Sequence, residues 1–80
     1  MADEYHPAPG EFSDAEMRDD PILRFFHYEH LPPRLKELSR PFCNLAAFMV
    51  KHYPRNAERT VALRKLLEAK DAAVRAGRPD

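Results

Sequence analysis

Eighty residues make at most one domain, and a chain this short buries too little surface for a large core. The formal net charge is zero, with thirteen acids and thirteen bases, and Cys43 is the single cysteine. These numbers exclude an intrachain disulfide, and no apolar run approaches the length of a membrane span.

The average charge conceals a division. Residues 1–20 hold seven acids and one base, and the remainder holds six acids and twelve bases. The chain therefore reads as an acidic, flexible leader over 1–20 followed by a basic helical domain over 21–80. Its acidic first residues are wrong for a secretory signal, so a soluble, cytoplasmic protein is expected. Within the leader, Ser13 with Glu16 three residues later matches a capping box and predicts a short helix over Asp14–Arg18.

The stretch Asp20–His30 is the most aromatic of the chain. Pro21 opens either a short helical turn or an extended run. Its rings exceed what one small hairpin can cover, so some are expected on a neighbouring protomer and some free for a ligand.

Pro33 suits a first helical position, where no donor is lost. A helix is predicted from about Pro33 to His52, roughly 30 Å long. Leu31, Leu35, Leu38, Phe42, Leu45, Met49 and His52 or Tyr53 follow heptad spacing and define its expected seam. Pro41 lies inside and predicts a kink near Glu37–Arg40, or a break at Ser39-Arg40-Pro41. Asn56 is a good N-cap for a second helix over Ala57 to about Ala76, with Gly77 as its stop. Leu63, Leu66, Leu67, Ala73 and Val74 form its expected buried face, flanked by Ala62, Ala69 and Ala76. The fold class is thus all-α: a two-helix hairpin, its first helix kinked at Pro41, that assembles into a symmetric oligomer to complete its core.

Little here suits catalysis. Ser13, Ser39, Thr60 and Cys43 are the only hydroxyl or thiol groups outside tyrosine, and Cys43 falls beside the seam as a small buried residue. Neither glycine belongs to a phosphate-cradling loop. His27 and His30 would share a helical face but lack a third ligand, so no metal site, catalytic residue or cofactor is expected. Arg40, Lys51, Arg59, Arg64, Lys65, Lys70 and Arg75 have two readings. Glu58, Glu68 and Asp71 at three- and four-residue spacing make a solvated, ion-paired face. Alternatively, two or three bases repeated by symmetry converge on phosphates, with Phe25, Phe26 and Tyr28 stacking on bases.

Three blocks bear on that choice: Phe26-His27-Tyr28-Glu29-His30-Leu31-Pro32-Pro33, then Ser39-Arg40-Pro41-Phe42-Cys43-Asn44-Leu45-Ala46, then the run from Glu58 to Ala76. Together they resemble short phage and prophage proteins of the helical-hairpin family of anti-CBASS and anti-Thoeris sponges, over about residues 25–76. That resemblance implies a hexamer of hairpins that sequesters cyclic di- or trinucleotides, or cyclic ADP-ribose-type signals, without cleaving them. Tyr28 matches the ring that stacks on a base before helix one. The family's basic residue midway along helix one falls here at Cys43, with Arg40 one turn earlier. Arg75 matches an arginine near the end of helix two that can point to a symmetry axis. The candidate ligand contacts are Phe26, Tyr28, His30, Arg40, Arg59, Thr60, Arg64 and Arg75. The expected partners are a cyclic di- or trinucleotide and further copies of the chain, with neither membrane nor DNA. An alternative is a small oligomeric helical module that binds another protein.

Overall fold

The computed structural model describes residues 12–78, and these contain helices and turns but no strand. Three α-helices occur: α1 over Asp14–Asp19, α2 over Pro33–His52 and α3 over Ala57–Ala76. A 3₁₀ helix over Pro21–Phe26 joins the first two parts. Helices α2 and α3 form the hairpin, and α1 with the 3₁₀ segment is a strap packed against it.

The strap begins with the expected capping box. The Ser13 hydroxyl accepts from the Glu16 amide at 3.1 Å, and the Glu16 carboxylate accepts from the Ser13 amide at 2.9 Å. Folded structure thus reaches into the predicted leader, because Phe12 and Asp20 are both buried. The flexible leader reading now bears only on residues 1–11, which lie outside the described residues.

Pro21 starts the 3₁₀ helix, so the helical alternative for this stretch prevails. Side chains three apart eclipse in a 3₁₀ helix. Leu23 and Phe26 therefore share one face, and both are fully buried. Tyr28 follows them into the interior. The chain's own hairpin covers Phe26 and Tyr28, and Phe25 of the same stretch is left exposed.

Helix α2 has the predicted ends, and the predicted seam is covered in part: Met49 is buried, Leu31 and Phe42 pack against the core, and Leu45, His52 and Tyr53 are exposed. Its fully buried residues are Ser39, Cys43 and Ala46, with Met49 nearly so, whereas Leu45 is 48% exposed. Small side chains make a shallow groove, and Leu23, Phe26 and Leu63 belong to the same core cluster. Large residues from the strap and α3 thus complement small residues of α2, as dense packing requires. The buried stripe lies beside the heptad seam, and part of the seam faces solvent.

Helix α2 runs through Pro41 as one element, so the alternative of two helices is not realised. Pro41 is exposed and has no amide to give to the Glu37 carbonyl. Pro41→Ala restores that donor and is expected to raise stability by up to about 3 kcal/mol, read as a higher urea midpoint. A lower midpoint would show that the core is built around the proline.

In α3, the Asn56 side chain accepts from the Arg59 amide at 2.9 Å, the predicted N-cap. Leu63 is fully buried, and Leu66 and Leu67 pack around the core. Ala69 and Ala76 are exposed, so they admit no close helix neighbour within the chain. Gly77 ends the helix in a right-handed conformation (φ −84°), not a left-handed one. A Cβ there would crowd only Leu38 Cδ1, the end of a flexible side chain, so neither backbone conformation nor space requires glycine at this position. No helix of the described residues is long and apolar enough to cross a membrane.

Candidate functional site

Two cations occupy buried positions on α3, and both join the strap to the hairpin. Arg59 Nη2 donates to Asp20 Oδ2 at 2.6 Å. Its Nη1 donates to the carbonyls of Tyr53 at 3.0 Å and Val50 at 3.3 Å. One guanidinium thus neutralises a buried acid and satisfies two carbonyls at the C-terminal end of α2, where a cation is favoured. Lys70 Nζ donates to the carbonyls of Phe25 at 2.8 Å and His27 at 3.4 Å, tying the aromatic stretch to α3. Burial pushes the Lys70 ammonium below its ordinary pKa, against smaller opposing effects from Asp71 and Cys43.

These contacts divide the eight candidate residues into separate places. Phe26 is fully enclosed and offers no face to a ligand. Arg59 is nearly enclosed and committed to Asp20 and to two carbonyls of the chain itself. Tyr28 is 6% exposed, with the Arg40 guanidinium 5.9 Å from its ring centroid. Arg40 also meets Glu37 at 3.0 Å; contact with Tyr28, then the charge of Glu37, raises the pKa of the arginine. Of the phenylalanine and tyrosine rings of the aromatic stretch, Phe25 is the exposed one, at 54%.

Thr60 and Arg64 line a cleft of about 310 Å³ with Asp19, Ile22, Arg55 and Asn56. Arg55 donates to the Asp19 carbonyl at 3.1 Å, and the Thr60 hydroxyl donates back to the Asn56 carbonyl at 3.3 Å. Acids and bases are mixed along this cleft.

His30 and Arg75 meet in a second cleft, of about 240 Å³. Its other walls are Leu31, Val74, Lys70, Asp71 and Arg78. Arg75 and Arg78 have no ion-pair or side-chain hydrogen-bond partner among the described residues. His30 stacks on His27 with ring centroids 4.9 Å apart and planes 15° apart, which holds one imidazole at the cleft edge. Three cationic side chains, one acid, two apolar walls and an aromatic ring suit a small anion that carries a flat group.

The second cleft includes two residues not among the candidates, Lys70 and Arg78. The helical spacing of Lys70, Asp71, Val74, Arg75 and Arg78 already puts them on one face of α3 and its continuation. Nothing in the sequence pairs that face with His30, forty or more residues earlier. Among the described residues no three His, Cys, Asp or Glu gather as a metal site. Comparison with protein-family models, with curated proteins and with solved structures finds no match to this chain.

Proposed function

We propose that this chain is a sponge for cyclic oligonucleotide immune signals, binding cyclic di- or trinucleotides without cleaving them and so blocking CBASS- or Thoeris-type defence. The observation that supports it is the cleft at the end of α3, where Arg75 and Arg78 stand unpaired among the described residues beside His30. Arginine forks match phosphate oxygens, and the imidazole and the Leu31 and Val74 walls suit a base. The cleft is small and open, so it holds part of such a ligand. Repetition of the cleft in a symmetric homo-oligomer, a hexamer in the family this chain resembles, would supply the rest. The three sequence blocks that resemble the helical-hairpin sponges support the same reading, and Arg75 belongs to one of them.

Isothermal titration against a panel of cyclic di- and trinucleotides tests this. Arg75→Glu is expected to weaken binding by about tenfold or more, the scale of one lost charge-assisted contact, with the fold intact. An absence of binding to every member of the panel at high micromolar concentration would sink the proposal.

A second reading, a small helical module that binds another protein, draws on the exposed apolar residues of α2. A chain that stays monomeric, ignores the panel and pairs with a helical protein would favour it.

A further inference from the structure

Helix α2 carries two apolar stripes, and the hairpin uses one. Pro41, Leu45, Phe48 and His52 recur at intervals of four, three and four residues, and all are exposed. Leu45 is 48% and Phe48 49% exposed. Phe48 has two aromatic neighbours: His52 lies with its ring centroid 4.3 Å away, and Tyr53 stands edge-on at 6.3 Å. At 100° per residue the four positions fall within about 60° of arc, the width of a two-helix seam. The strap covers the opposite groove and leaves this stripe open.

The residues beside the stripe indicate what covers it. Glu37, Asn44 and Lys51 are spaced seven apart and form a row along one edge. An acid stands at one end, a base at the other and a neutral amide between them. This row complements its own reverse. An antiparallel copy centred on Asn44 sets Glu37 against Lys51 of the partner subunit, and Lys51 against Glu37 of the partner subunit. A parallel copy brings neither pair together. Within the chain these two groups have only weak exposed contacts: Glu37 with Arg40 at 3.0 Å, and Lys51 with Glu16 at 3.9 Å.

We infer that α2 pairs antiparallel with α2 of a second copy, through Leu45 and Phe48 and about a two-fold axis near Asn44. The inference deepens the assembly part of the proposed function by naming the surface through which two copies meet. It does not depend on the ligand cleft, which involves other residues.

The test is the mass of the full chain in sedimentation equilibrium. The wild type is expected at an even multiple of the 9.3 kDa protomer. Phe48→Asp is expected to halve that mass while the helical circular dichroism is unchanged, because the side chain is exposed. Glu37→Lys should weaken pairing about tenfold, and the double variant Glu37→Lys, Lys51→Glu should restore it. Fourteen residues along one helix span about 21 Å, so rescue cannot arise inside one chain. A wild type monomeric at every concentration, an unchanged mass for Phe48→Asp, or a charge swap without rescue would each overturn the pairing. Nucleotide titration of the wild type, read beside its mass, separates the two ideas. Wild-type pairing with no ligand bound defeats the sponge and leaves the pairing, and ligand bound by a monomeric wild type defeats the pairing and the shared-cleft assembly but leaves ligand binding.

Discussion

Arg59→Ala is expected to lower stability by about 3–5 kcal/mol, the range for removing one partner of a buried ion pair. The wild-type side chain is 6% exposed and reaches three groups at once: Asp20, the Tyr53 carbonyl and the Val50 carbonyl. Truncation leaves the Asp20 carboxylate buried without its cation and uncaps the end of α2. Two segments separated by thirty-nine positions, the strap and α3, then lose one of their polar links, and that of Lys70 to the Phe25 carbonyl remains. Small domains have a total stability of about 5–15 kcal/mol, so this variant is expected near the limit of folding. Urea unfolding followed by circular dichroism reads the effect. Arg59→Lys should recover only part of the loss, since an ammonium lacks the planar fork that spans these three acceptors. Asp20→Leu combined with Arg59→Met should be milder than either truncation alone, because it removes both charges together. A midpoint for Arg59→Ala within error of wild type would show that apolar packing and the Lys70 and Arg55 contacts hold the strap without this ion pair.

Arg59 also shows where sequence reading reaches its end. The helix limits were legible because their determinants are local: Ser13 with Glu16, Pro33 at a first position, and Asn56 before α3. The buried side of α2 was not legible. The heptad positions look like one seam, yet its members Met49, Leu31 and Phe42 turn toward the core while Leu45 turns out, and the neighbouring Ser39, Cys43 and Ala46 are the residues fully enclosed. Periodicity detects a stripe, and packing partners far along the chain decide which stripe is covered. The same limit applies to the candidate site. Arg59, in the first turn of a basic helix, has the residue type expected of an anion ligand. Its commitment to Asp20 is a tertiary fact with no local sign. Arg75 keeps its place among the candidates because no described residue claims it. Lys70 was legible as one base among several, but its burial follows from where the Phe25 and His27 carbonyls come to rest.

Tyr28→Ala is expected to cost about 3–5 kcal/mol, on the scale of truncating a buried aromatic residue. The ring is 6% exposed and belongs to the core cluster with Phe26, Cys43 and Leu63. Removing it opens a void between the strap and the hairpin that rigid neighbours fill only in part. Phe26→Ala, at a fully enclosed position, should fall in the same range and provides the comparison. Tyr28→Phe keeps the packing and loses only the hydroxyl, so about 0.5–1.5 kcal/mol is expected. The resemblance to helical-hairpin sponges implies instead that this ring stacks on a base, and truncation then weakens binding without unfolding the chain. Urea midpoints of the three variants, each with a nucleotide titration, distinguish the two roles. A core ring lowers the midpoints of Tyr28→Ala and Phe26→Ala together and leaves Tyr28→Phe able to bind. A stable Tyr28→Ala that no longer binds would overturn the core assignment and make the ring part of the ligand site.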